Sequence, residues 1–152
     1  MKLVKIDSSL LEKYKDDDQI LVKDSRPYVL VVRLKYKERV QDFAIPFRSN
    51  IPASTNKSQY YPLPPRSSTK PKNRHGLHYI KMFPVSSKYL IRYRTEGNPY
   101  ATLISNIIVK HERQIIKECQ QYLKAYESGE HPQYSTDIDY LLEQFDKAKQ
   151  DN

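Results

Sequence analysis

Pro27-Tyr28-Val29-Leu30-Val31-Val32-Arg33-Leu34-Lys35-Tyr36 is the stretch that decides the fold. It is rich in β-branched and aromatic residues, which suit a pleated surface, and reads as a strand. A short polar turn at Lys37–Arg39 follows, then Val40 to Phe47, so the two runs pair as a hairpin. Upstream, Lys2 to Ile6 alternates and predicts a first strand. Ser8 or Ser9 is placed to cap a short helix through Leu10, Leu11 and Tyr14. Asp16, Asp17 and Asp18 then read as a solvated turn, since consecutive carboxylates point in different directions. Downstream, Gly76 admits the backbone to a strand over Leu77 to Val85, and Lys88 to Thr95 alternates as another. Asn98-Pro99 opens a helix by cap and first-turn proline, predicted to run to about Tyr126. Its apolar stripe is Ile104, Ile108, His111, Ile115, Cys119, Tyr122 and Tyr126, with His111 read as a core histidine. Gly129 and Pro132 end it. Thr136-x-x-Asp139 opens a last helix bearing Ile138, Leu141, Leu142 and Phe145, with a fraying tail after Lys147. Strands first and helices last predict an α+β fold on a largely antiparallel sheet, one domain over residues 1–152.

Charge is distributed unevenly over this frame. From Phe43 to Thr95 there are ten Lys or Arg and no Asp or Glu, while the whole chain carries +8. The remainder therefore sums to −2, and the basicity is one block. Such a block attracts a polyanion. Tyrosines 60, 61, 79, 89 and 93 are interleaved with it, and tyrosine rings stack on unpaired bases. Residues 50–75 lack an apolar period, hold five prolines after Asn50, and read as a long flexible basic loop. The RNA-binding candidates are Arg33 and Lys35 on the hairpin, Lys57, Lys70, Lys72, Arg74 and His75 in the loop, and Tyr60 and Tyr61 as stacking rings. No apolar run approaches a membrane span. The lone Cys119 suits a reducing cytoplasm and reads as a small buried apolar residue.

Three glycines cannot build a phosphate-binding Gly-rich loop, and there is no Cys/His zinc spacing. The block has no carboxylates of its own to hold cations, so metal-free and cofactor-free chemistry is favoured. Metal-free RNA cleavage needs a group to take the 2′-OH proton, one to protonate the leaving 5′-oxygen, and donors for the non-bridging oxygens. Arg48 and Ser49, just past a strand end, can supply donors. Lys81 lies between the apolar Ile80 and Met82, either on a wet face or partly buried with a lowered pKa. His75 and His78 are the histidines inside the block, and histidine titrates in the useful range.

Ile45-Pro46-Phe47-Arg48-Ser49-Asn50-Ile51, a basic loop, then Lys72-Asn73-Arg74-His75-Gly76-Leu77-His78-Tyr79-Ile80-Lys81 resembles the endoribonuclease toxins of type III toxin–antitoxin systems. The likeness is to the ToxN/AbiQ group, closest to its CptN and TenpN branches, and spans most of the chain. It implies a twisted antiparallel sheet with helices, related to the Kid/MazF toxins. It implies metal-independent cleavage of single-stranded RNA, leaving a 2′,3′-cyclic phosphate and a 5′-OH. It also implies an RNA antitoxin, a pseudoknotted repeat product that holds the toxin in a closed protein–RNA ring. By motif match the catalytic residues are Arg48, Ser49 and Lys81. The ToxN branch follows its Ser with a nearby Lys; here Asn50 and Ile51 follow, so the charge falls to Arg48, Lys57 or Lys81. The CptN-like pattern tends to an acidic residue where this chain has His78, which leaves His78 as a candidate acid or base. Two other readings compete: a non-catalytic RNA-binding module on the same basic face, and an adaptor that docks an acidic protein.

Overall fold

The computed structural model describes residues 1–25 and 27–150. The hairpin is β2 (Val29–Tyr36) and β3 (Arg39–Pro52), registered from Tyr36 opposite Arg39 to Val29 opposite Pro46. Lys37 and Glu38 turn the chain with positive φ. β3 is longer than the apolar run suggested and continues through Arg48 and Ser49. Around it the described strands form one antiparallel sheet in the order β4-β5-β3-β2-β1-β7, with β6 also on β3. Here β1 is Lys2–Ile6, β4 Tyr60–Leu63, β5 Asn73–His78, β6 Phe83–Val85 and β7 Leu90–Arg92.

The period of two sorts the strands' residues onto two apolar faces. Leu30, Val32, Leu34, Phe43, Ile45 and Leu77 pack with Ile104, Ile108, Ile115 and Cys119. The last four come from α2 (Pro99–Lys110) and α3 (Glu112–Glu127). Val29, Val31, Ala44, Phe83 and Val85 pack on the other face with Leu10, Leu11, Leu141 and Phe145, from α1 (Ser8–Lys13) and α4 (Ile138–Gln150). The α+β class with a largely antiparallel sheet and C-terminal helices is the observed architecture.

Several local expectations are corrected. The strand expected over Leu77–Val85 is two strands on the same side of β3, separated by a tight 3-10 turn at Tyr79–Lys81. The flexible loop over 50–75 is largely structured. β3 extends into it, a 3-10 turn at Lys57–Gln59 leads into β4, and β5 begins at Asn73. The Asn50 amide ties down the rest, donating to the Ser68 carbonyl while its oxygen accepts from Lys70 N–H and Asn73 Nδ2. The long helix divides at His111, which is half-buried against Tyr61 and not a core residue. The cap of α1 is Asp7, accepting from Ser9 N–H, and neither Ser8 nor Ser9 fills that role. Asp137, not Thr136, caps α4 by accepting from Tyr140 N–H. The helix expected to fray after Lys147 persists to Gln150, and positions 151–152 lie outside the described residues.

Candidate active site

The 3-10 turn has a direct consequence for Lys81. In an unbroken strand its side chain would lie on one sheet face; at the turn it is carried inward and is only 4% exposed. Its ammonium donates to Gln19 Oε1 at 2.7 Å and to the Tyr134 carbonyl at 2.6 Å. Thr136 holds both flanks of the turn, its N–H donating to Ile80 O at 2.9 Å and its hydroxyl to Met82 O at 2.6 Å. Tyr134 presents its carbonyl from a left-handed backbone, φ 66°, which non-glycine residues adopt at a cost of about 1–2 kcal/mol.

Arg48 lies opposite Gly76 across a register shift between Arg48 and Ile51. The same sheet face carries His78, two residues beyond Gly76, and Tyr60, which pairs with His78. A side chain at 76 would collide here: a Cβ would sit 2.6 Å from the Tyr61 carbonyl and 3.0 Å from the Tyr60 ring. Gly76 thus allows β4, β5 and β3 to close around the site.

The electrostatics tie the group together. Lys81 is pushed down to about 8, first by burial and then by the Arg48 guanidinium, with Asp17 pulling upward and Lys23 downward. His78 is 2% exposed and pushed down to about 3, by burial and then by Arg48 and Lys81. It is therefore neutral near pH 7, and its Nδ1 is buried without a hydrogen-bond partner. Arg48 itself is exposed, at the mouth of the group. Ser49 follows at the register shift and is half-exposed. Among the described residues, no three His, Cys, Asp or Glu side chains converge as a cation site.

Four residues at this site were not anticipated: Asp17, Gln19, Lys23 and Tyr134. Asp17 is not part of a solvated turn. It is 8% exposed and accepts from Gln19 N–H and Asp137 N–H, bringing the segment after α1 against the turn before α4. Only the Asp-rich run hinted at this, and it gave no long-range partner.

The expected RNA-binding residues divide. Lys57, Lys70, Lys72 and Arg74 are exposed. Tyr60 and Tyr61 are buried in the sheet edge, at 2% and 9%, so neither ring is free to stack on a base. His75 is 2% exposed and points into the protein. The Tyr100 hydroxyl donates to Pro64 O at 2.6 Å, and its oxygen lies 2.6 Å from His75 Nδ1, placed to accept that N–H. Arg33 pairs with Asp42 at 2.9 Å, and Lys35 is exposed farther along the same strand. Arg33 lies opposite Asp42, six residues from Arg48 on β3, or about 20 Å, so both stand apart from the group. A cavity of about 670 Å³ opens between Lys57–Tyr61 and α3, but Glu118 and Glu130 line it, which suits a phosphate poorly.

No protein-family model matches the sequence, and no curated protein matches it closely enough to count. Solved structures do match the whole fold. One comes from work on a processed non-coding RNA that regulates a bacterial antiviral system: TM-score 0.71, 15% identity, 97% of this chain and 98% of that one. A second concerns type III toxin–antitoxin systems in which a non-coding RNA pseudoknot selectively inhibits the toxin: TM-score 0.72, 17% identity, 97% of both chains. A third is AbiQ, described as a lactococcal anti-phage endoribonuclease of a type III system: TM-score 0.71, 13% identity, 97% and 98% coverage. The fold is that of the ToxN/AbiQ type III toxins. At these identities the likeness concerns the fold, and the site must be argued from its own residues. No described helix is long and apolar enough to cross a membrane.

Proposed function

We propose that this protein is the endoribonuclease toxin of a type III toxin–antitoxin system, acting in the cytoplasm as a single domain. It cuts single-stranded RNA without a metal ion, by 2′-OH attack on the adjacent phosphate. The observation that carries this reading is the group Arg48, His78 and Lys81, gathered at the end of the sheet in a fold shared with type III toxins.

Lys81 suits a proton-transfer role. A lysine head group has four positions around Nζ: one bond to the stem and three for protons or a lone pair. Two N–H groups are committed, to Gln19 and to Tyr134. The last position is an N–H in the ammonium and a lone pair in the amine. With a pKa near 8 that position changes state close to neutrality, as a base for the 2′-OH requires. Arg48 stays cationic and offers its planar fork to the non-bridging oxygens. Ser49 adds a hydroxyl donor beside it. His78 enters neutral, held so first by burial and then by repulsion from Arg48 and Lys81, and an arriving phosphate anion offsets the second of these.

The partners that follow are single-stranded cellular RNA as substrate and a pseudoknotted RNA antitoxin as inhibitor, the two protein and RNA components closing into a ring. The exposed loop cations suit a polyanion, and the non-coding RNA partners of the similar structures favour RNA over an acidic protein. The test is toxicity on induction without the antitoxin. Lys81→Met and Arg48→Gln are expected to abolish it, with Ser49→Ala reduced about 10²-fold or more in cleavage, the scale of one lost oxyanion donor. Full toxicity of folded Lys81→Met removes the mechanism. RNA binding without cleavage by the unaltered chain points to the non-catalytic module instead.

A further inference from the structure

Tyr60 and Tyr61 are buried, yet Tyr93 of the same block and three further aromatics are not. Tyr28, Phe47, Tyr93 and Tyr100 are each half-buried. They form a row across the end of the sheet. Tyr93 stacks on Tyr28 with centroids 4.8 Å apart and planes 24° apart, and Tyr28 meets Phe47 edge-on at 5.2 Å. Phe47 continues to His75 at 6.3 Å, and His75 to Tyr100 at 5.6 Å. The row lies at the margin of the face that α2 and α3 cover, where Phe47 and Tyr100, the latter in the first turn of α2, pack against the core. Cations flank both ends: Lys5 Nζ lies 5.7 Å from the Tyr93 ring and Arg66 lies 5.4 Å from the Tyr100 ring.

At the Tyr100 end the row adjoins a cavity of about 400 Å³ whose lining includes Arg66, Lys70, Arg74, Thr69 and His75, and no carboxylate. The Asn50 amide and the bond from Arg66 N–H to Thr69 Oγ1 hold this loop in shape, so the cations are arranged in advance. Half-exposed rings beside a positive cavity match a chain of unpaired nucleotides, with bases for the rings and phosphates for the cations. A duplex would offer the phosphates alone, its bases being already stacked.

We propose that the row Tyr93–Tyr28–Phe47–Tyr100, with the Arg66/Lys70/Arg74 cavity, is a binding platform for a single-stranded RNA segment. It rests on the reading of the Arg48 group as the cleavage site and adds where the flanking nucleotides go. Phe47 and Arg48 are consecutive on β3 and face opposite sides of the sheet. A strand whose bases lie on the row thus crosses the edge of β3 beyond its last pairing with β2, at Pro46 opposite Val29, and delivers the next phosphate to Arg48 and Lys81. Platform residues set which segment is presented; they do not touch the reacting atoms.

The probe is a single-stranded oligoribonucleotide with 2′-O-methyl groups throughout and one 2-aminopurine, which cannot be cut by 2′-OH attack. Binding is read by anisotropy, stacking by quenching of the aminopurine. Tyr28→Ala and Tyr93→Ala, each shown folded by thermal unfolding, are expected to weaken binding at least about tenfold and relieve the quenching. Tyr93→Phe keeps the ring and should bind like the unaltered chain. Binding of the same sequence as a duplex should not change. If both alanine variants bind the single strand within twofold of the unaltered chain, or if duplex binding falls as much, the platform is overturned. The cleavage reading is judged separately, on ordinary RNA. A protein that loses binding on Tyr93→Ala yet never cuts RNA keeps the platform and loses the endoribonuclease. One that cuts RNA while both alanine variants bind normally does the reverse.

Discussion

Replacing Lys81 by methionine removes a buried ammonium and keeps a side chain of similar length. Its folded-state pKa of about 8 lies below the ordinary 10.5. Between those values the unfolded chain holds the extra proton, so this group costs the fold stability below pH 8, and the cost is relieved as pH rises toward 10.5. One pKa unit is about 1.4 kcal/mol, so the cost is about 3 kcal/mol at pH 7 and about 1.4 kcal/mol at pH 9.5. The unaltered chain should therefore gain about 2 kcal/mol relative to Lys81→Met between these two conditions. The donors lost to Gln19 Oε1 and the Tyr134 carbonyl cost the variant the same at both, and cancel in the difference. Working at pH 7 and above keeps His78 neutral throughout, since it titrates far below. Urea unfolding of both proteins at the two conditions reads the effect. With a slope of about 2 kcal/mol per molar, the midpoint difference should move by about 1 M. A difference that stays constant with pH would refute a depressed lysine at this position, and with it the proton-transfer role.

Three further outcomes follow from the same geometry. Gly76→Ala places a Cβ 2.6 Å from the Tyr61 carbonyl, a backbone atom that cannot step aside; it should lower stability by about 1–3 kcal/mol, read by thermal unfolding, and an unchanged midpoint contradicts the close packing of β4 on β5. Arg48→Gln relieves repulsion on Lys81, so any residual cleavage should show its pH–rate inflection above 8, nearer the ordinary lysine value; an inflection that does not move separates Arg48 from Lys81. Neutralising Lys57, Lys70, Lys72 and Arg74 together should flatten the salt dependence of single-stranded RNA binding by about three in the log–log slope, and an unaltered slope takes these cations off the RNA.

The hairpin was legible because its two-residue period and its turn are local properties. So were the sheet-then-helix order and the basic block. Lys81 was readable as either wet or buried. What decides it is the 3-10 turn at Tyr79–Lys81, held by Thr136 from 54 and 56 residues away, and no local propensity encodes such a partner. Asp17 is the same case: its burial depends on the backbone of Asp137, 120 residues on. Tyr60 and Tyr61 looked like loop residues because prolines and serines surround them. They are buried because β4 pairs with β5, with Tyr60 opposite His78 and Tyr61 opposite Leu77. His111 interrupts the helix without a proline or glycine to announce it, so the apolar stripe read straight through the break.

The measurement that bears most directly on the central claim is cleavage of a defined single-stranded RNA by the purified, RNA-free protein in excess EDTA, with the ends of the products identified. The account predicts cutting that persists without divalent ions, products ending in a 2′,3′-cyclic phosphate and a 5′-OH, no cutting by Lys81→Met, and strongly reduced cutting by Arg48→Gln. Cutting that appears only when magnesium is restored, or products with a 5′-phosphate, would contradict it.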